Sequence, residues 1–131
     1  MDSPAFDQPA FDQPAFDQPD LAARLAALTD DQIDDATFGI IGFDGGTVVR
    51  RYNRFESQAA GLSQAAVLGQ PFFTAVAPCM NNFMVAQRFE DEPRLDDIVP
   101  YVLTLRMRPT KVRLKLLAAP DMPRRYVLIE R

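Results

Sequence analysis

In the last third of the chain, two runs alternate apolar and polar residues so regularly that little choice of secondary structure is left. In VPYVLTLRM, residues 99–107, Val99, Tyr101, Leu103, Leu105 and Met107 fall on one side, with Arg106 and the following Arg108 on the other. In TKVRLKLLAA, Val112, Leu114 and Leu116 share one side, with Lys111, Arg113 and Lys115 opposite. A period of two is that of a strand with one buried face, because successive side chains point to opposite sides of the pleat. The basic side is then expected to be the solvated face of a sheet. RRYVLIER supplies a further strand, and upstream TFGIIGFD and TVVRRY flank Asp44-Gly45-Gly46, the pattern of a hairpin.

The remaining segments read as short helices. Asp20 is placed to cap LAARLAAL, whose Leu21, Leu25 and Leu28 fall on one helical face, and Thr29 caps the acidic turn DDQIDD. Between Asn53 and Phe89 the pattern is punctuated by Gly61, Gly69, Pro71 and Pro78, with MNNFMVAQRFED as the longest helical run. Asn53 is expected to cap or brace its turn. Two strands, a helical middle and three strands predict an α+β fold: a five-stranded antiparallel sheet with short helices on one face and an N-terminal cap. A cavity would lie between sheet and helices.

With 131 residues, 47% of them hydrophobic and 10% aromatic, the chain can bury one sizeable core. That core is assigned to residues 20–131. Residues 1–19 are read as a tail, because PAFDQ occurs there three times in tandem over residues 4–18. A proline every five residues prevents helix growth, so the tail is expected to be extended and mobile or draped over the domain. The period is too short for a solenoid unit.

Neither a signal peptide nor a membrane-length apolar run is legible, and a single cysteine allows no internal disulfide, so a reducing cytoplasm is the expected compartment. The net charge of -4 argues against nonspecific nucleic-acid binding, although eight of the 14 basic residues and only two of the 18 acidic ones lie in residues 106–131.

The single cysteine, Cys79, sits in FFTAVAPCMNNF, in a chain with no histidine. A lone cysteine is ordinarily a small buried hydrophobe. Without histidine no Cys-His dyad can activate it, and one thiol without imidazole makes a poor metal site, so an enzyme is not expected. Pro78 is read as fixing the loop.

Three separated strings, ATFGIIGFDGGTVVRRYNRFESQAAG, VLGQPFFTAVAPC and MRPTKVRLK, together resemble the photoactive yellow protein family, small blue-light receptors of the PAS class. The resemblance runs over residues 21–130. It rests on a Tyr-Asn-x-x-Glu pair, a Val-Ala-Pro-Cys loop, a Met-x-Pro-Thr-Lys-Val junction and the spacing among them. It implies a PAS fold, a p-coumaric acid chromophore joined by a thioester to Cys79, and light-driven trans-to-cis isomerisation.

A phenol buried among Phe72, Phe73, Tyr101 and Leu103 would lose the solvation of its anionic form and need strong donors. Tyr52 and Glu56 can be those donors, sharing one face if YNRFE is a single helical turn. Glu56 would then be neutral at rest, as burial favours, and give up its proton after isomerisation. Met107 occupies the family's methionine position near the ring. Taken singly, Tyr52 also reads as a strand-end tyrosine, Glu56 as a solvated helix residue and Met107 as core.

The chain departs from the family pattern at Ala60, where a threonine would donate to the tyrosine, and at Leu62, where an arginine would cover the ring. These changes bear on spectral position and cycle rate. The rival reading is a PAS module that binds another ligand, or none, and serves as an interaction domain. On either reading the partner is an unidentified downstream signalling protein, with no nucleic acid or membrane, and the chain is a monomer or weak homodimer.

Overall fold

A computed structural model describes residues 14–104 and 108–131. Five strands form, β1 (Gly39–Phe43), β2 (Val49–Tyr52), β3 (Leu95–Leu103), β4 (Thr110–Ala118) and β5 (Arg125–Glu130). They line up in the order β2-β1-β5-β4-β3, every neighbouring pair antiparallel. The β1–β2 hairpin turns where expected. Asp44 Oδ1 accepts from the amides of Gly46 (2.9 Å) and Val48 (3.0 Å), while Thr47 takes the left-handed conformation at φ 63°.

Helices α1 (Leu21–Ala27) and α2 (Asp30–Asp34) precede the sheet. The side chain of Asp20 makes no capping bond to α1, whereas Thr29 and Gln32 form a reciprocal capping box at α2. Helices α3 (Arg54–Ala60), α4 (Gln64–Val67) and α5 (Ala86–Asp91) fill the middle, with a π-helical turn at Phe72–Val76 and a 3₁₀ turn at Pro78–Met80. The run MNNFMVAQRFED is therefore helical only in its second half. Asn82 Oδ1 accepts from the amides of Met84 (3.0 Å) and Val85 (3.2 Å), a local alternative to helical bonding that delays the start of α5.

Both faces of the sheet are covered. Ile41, Phe43, Leu114, Leu116, Val127 and Ile129 face the helical middle, in one core cluster. Ile40, Leu117, Tyr126 and Leu128 point the other way, to Leu21, Leu25 and Ile33 of the N-terminal cap. The central strand β5 is buried on alternate sides for this reason.

The expectation that the basic side of β4 is solvated holds for Lys111 and Arg113 and fails at Lys115, which is only 3% exposed. Its ammonium donates to the carbonyls of Phe16 (3.0 Å) and Gln18 (2.9 Å), so the cap reaches over it. Along β3, Tyr101 and Leu103 are buried as the alternation requires. Leu105, Arg106 and Met107 lie outside the described residues. Among the described residues, no helix is long and apolar enough to cross a membrane.

Candidate functional site

Cys79 is carried by the short turn Pro78–Met80, whose first position is the proline that presets the turn. Its neighbour Met80 is buried, whereas Cys79 is partly exposed and packs against the helical-side core. Two side chains hold its backbone. The Tyr101 hydroxyl donates to the Cys79 carbonyl at 2.5 Å, and Asn82 Nδ2 donates to the same carbonyl at 3.2 Å and to the Tyr101 oxygen at 2.6 Å. The thiol is therefore on a braced loop while its side chain keeps an approach from outside. A groove of about 550 Å³ opens beside Tyr101, lined also by Met84, Pro100, Val102, Lys111 and Val112.

Phe72 and Phe73 come from the π-helical turn just before this loop and are buried. They lock into Phe43 of β1, with ring centroids 5.3 and 5.5 Å away, and Phe89 of α5 closes the block at 5.1 Å from Phe43. Contacts of this geometry add about 0.5–1.5 kcal/mol each beyond area burial. Tyr101 and Leu103 border the same cluster, and so does Tyr52.

Tyr52 and Glu56 do not lie in a single helical turn. Tyr52 ends β2, Asn53 is the N-cap and Glu56 sits in the first turn of α3. Asn53, fully buried, accepts from the amides of Glu56 (3.1 Å) and Ile40 (2.9 Å) and donates to the carbonyls of Ile33 (2.9 Å) and Phe38 (3.0 Å). The expected brace is thus fourfold, and it fixes where Glu56 enters the core. Gly39 of β1 lies against the Glu56 side chain, and a Cβ there would collide with the carboxyl group.

Both side chains are buried, Glu56 at 1% and Tyr52 at 4% exposure. Among the described residues, the Tyr52 hydroxyl has no hydrogen-bond partner. Burial, and then the charge of Glu56, push its pKa well above the ordinary phenol value, with Arg131 opposing. Glu56 is held by Arg131, whose Nη1 and Nη2 donate to Oε1 and Oε2 at 2.6 and 3.1 Å. Burial raises the Glu56 pKa above its ordinary value and the guanidinium pulls it back down, burial being the stronger. The carboxyl is thus poised between a neutral form that burial favours and a charged form that Arg131 favours.

Ala60 is buried at the end of α3, presenting a methyl where a donor would need a hydroxyl, and Leu62 is 37% exposed just beyond it. Tyr52, Phe72, Phe73, Tyr101, Leu103 and Cys79 therefore gather around one cluster, and Leu62 is not among its residues. Met107, which the sequence places near the ring, lies outside the described residues.

Sequence reasoning missed Arg131, Asn82 and Gly39. The signal for Arg131 was present: Val127 and Ile129 point to the helical side, and the period of two carries residue 131 to that same side.

No family model matches the chain. A photoactive yellow protein of Rhodothalassium salexigens is 31% identical over 115 residues, covering 86% of this chain and 92% of the relative. The crystal structure of the photoactive yellow protein domain from the sensor histidine kinase Ppr of Rhodospirillum centenum superposes with a TM-score of 0.76 at 30% identity, covering 84% of this chain and 99% of that domain. The PAS domain of an HTR-like protein from Haloarcula marismortui shares the fold alone, with a TM-score of 0.56 at 15% identity over 83% of this chain and 97% of that domain.

Proposed function

The chain belongs to the photoactive yellow protein family, and from that membership we propose that it is a blue-light photoreceptor, not an enzyme, with p-coumaric acid held as a thioester on Cys79. The observation that carries the reading is the Tyr52 hydroxyl, buried with no partner among the described residues. A buried donor left unpaired costs about 1–3 kcal/mol, so an acceptor brought by a ligand would relieve it. The partly exposed Cys79 would give the carboxyl end of a small phenolic acid a nucleophile that can be reached, the aromatic block would give its ring an apolar wall, and Tyr52 with Glu56 would give its phenol oxygen donors.

When bound, the p-coumaroyl group supplies light absorption and trans-to-cis isomerisation. The chain's own residues do the rest. Cys79 Sγ would give up its proton and take the acyl group of an activated p-coumaric acid ester, whose alcohol leaves with that proton, and Tyr101 with Asn82 would keep the carbonyl of that residue from moving with it. Phe72, Phe73 and Leu103 exclude water, which strengthens every polar contact inside. Tyr52 offers its hydroxyl hydrogen to an acceptor. In the neutral form that its burial favours, Glu56 would hold a second hydrogen for the same purpose and be the group that can release a proton.

Arg131 gives this chain its own version of that step. A carboxylate newly formed in a core has lost solvation, and the guanidinium already within 2.6 Å is positioned to receive the charge. Ala60 and Leu62 add no donors, so an anionic ligand oxygen would depend on Tyr52 and Glu56.

The full chain, treated with an activated ester of p-coumaric acid, should turn yellow and gain the mass of one p-coumaroyl group, while Cys79→Ala should stay colourless. Colour surviving in Cys79→Ala would remove the attachment site. A chain that stays colourless although its thiol is acylated, or that instead retains a different small molecule, would favour the PAS ligand-binding or interaction module.

A further inference from the structure

The third PAFDQ copy is seated on the cap side of the sheet, and each part of it has a partner. Phe16 is 4% exposed, packed edge-on against Phe38 at 5.6 Å between ring centroids, with the guanidinium carbon of Arg113 5.1 Å from its own ring centroid. Asp17 pairs with Arg113 at 3.3 Å. The carbonyls of Phe16 and Gln18 take both contacts of the buried Lys115. Gln18 closes the loop on itself: its amide donates to the Ala15 carbonyl (3.0 Å) and its Oε1 accepts from the Ala15 amide (3.1 Å). Pro14 is buried at the start.

These contacts use a proline, a small residue, a phenylalanine, an acid, a glutamine and two backbone carbonyls. Residues 4–8 and 9–13 repeat that set letter for letter, and a proline follows each copy as Pro19 follows the third. Nothing in the seat reads a feature that only the third copy has. The contact from Gln18 Nε2 to Asp20 (2.7 Å) is the exception, and it lies outside the seat.

We propose that the Phe38–Arg113–Lys115 surface is a binding site for the PAFDQ motif itself, and that the three copies exchange in it within one chain. Exchange needs slack between the seat and α1. Leu21 lies five positions after Phe16; seating Phe11 or Phe6 instead makes that span ten or fifteen positions, and flexible-loop closure scales as the three-halves power of length. The second copy is then disfavoured about threefold and the first about fivefold relative to the third. The strap is thereby made redundant: a lost or damaged copy is replaced by its neighbour, and the cap stays closed. This is independent of what binds at Cys79.

The test compares full-length variants by urea unfolding. Phe6→Ala with Phe11→Ala should leave the midpoint almost unchanged. Phe16→Ala should retain about a third of the native docking weight through the two spare copies, whereas the triple variant should lose all of it, so Phe16→Ala must sit between wild type and the triple. A triple variant that fails to fold while Phe16→Ala folds supports the proposal equally. Phe16→Ala as unstable as the triple overturns it, because then the other copies cannot enter the seat. A triple variant as stable as wild type also overturns it, since no copy would be held. Repeating the Phe16→Ala measurement over a hundredfold dilution decides the source: a midpoint that does not move supports exchange within the chain, and one that falls on dilution overturns it in favour of a copy borrowed from a second molecule.

Discussion

The two faces of the sheet both bury charged groups, and they treat them differently. Under the cap, Arg51 is 7% exposed, yet its guanidinium donates to the carbonyls of Leu25 and Leu28 and to the Tyr126 hydroxyl, and pairs with Asp30. Leu25 and Leu28 close α1, so Arg51 satisfies the Leu28 carbonyl that the helix end leaves open and adds a second donor to that of Leu25, which also accepts from the Leu28 amide. Lys115 does the same for the strap. On the helical side, Glu56 is held by a single arginine that is itself partly exposed, and the Tyr52 hydroxyl is bonded to no described residue. Matched burial fixes a structure. Unmatched burial leaves a group able to respond to a ligand or a proton, and it marks the site better than burial alone.

If that distinction is right, substitutions on the two sides should fail in different ways. Arg51→Ala takes the donor away from the Leu28 carbonyl and the Tyr126 hydroxyl, while its charged partner Asp30 is exposed, so urea unfolding should read a loss of about 1–3 kcal/mol for each acceptor left buried and unpaired. Arg51→Lys should recover only part of it, because an ammonium cannot reproduce the planar fork. The absorption of reconstituted protein should stay where it is in any variant that folds. A loss below about 1 kcal/mol would mean that the cap is held by its apolar contacts alone.

The strands were legible in the sequence because alternation reports burial directly: Tyr101 and Leu103 on β3 and Val112, Leu114 and Leu116 on β4 all face inward as their parity predicts. Lys115 was misread for the same reason, since parity tells which face a side chain takes and not whether that face is covered. Its cover comes from Phe16 and Gln18, almost a hundred residues away in sequence. At the site, the capping role of Asn53 follows from residue type and position, and the structure adds that it binds four groups. The partnership of Arg131 with Glu56 joins residues 75 apart, and only the pairing of β1 with β5 brings them together. The shortened α5 depended on an asparagine side chain competing with the backbone, which helical periodicity does not register.

Arg131→Ala should affect the helical side through pH. A carboxyl whose folded pKa is raised binds more protons folded than unfolded between its ordinary value of 4.5 and the raised one, so stability falls as pH rises through that window. Removing Arg131 takes away the opposing charge, raises the pKa further and widens the window. The variant should match wild type near pH 4.5 and fall behind it by about 1–3 kcal/mol at pH 8, less than a fully buried pair because the arginine is partly solvated. Infrared spectroscopy should find the protonated-carboxyl band surviving to higher pH in Arg131→Ala than in wild type, and missing in Glu56→Gln. Equal stability losses at both pH values would show that Arg131 acts by packing and leaves the Glu56 proton alone.

The smallest effect carries the most information, because its sign differs between the two faces. Removing a hydroxyl that is bonded in a core ordinarily costs about 0.5–1.5 kcal/mol, as Tyr126→Phe should, since Arg51 donates to that oxygen. Tyr52→Phe removes a hydroxyl that is buried without a partner among the described residues, so the chromophore-free chain should lose nothing and can gain up to about 1 kcal/mol as an unpaired donor disappears. Reconstitution should reverse this order. With p-coumaric acid attached, the wild-type hydroxyl acquires an acceptor, Tyr52→Phe becomes the less stable of the two, and its absorption moves because one hydrogen bond to the ligand oxygen is gone. Measured as a cycle, with and without chromophore and with and without the hydroxyl, the coupling isolates the bond that the empty site lacks. A loss above 1 kcal/mol in the chromophore-free variant would show that Tyr52 is already satisfied, and that the helical face is as fully matched as the cap.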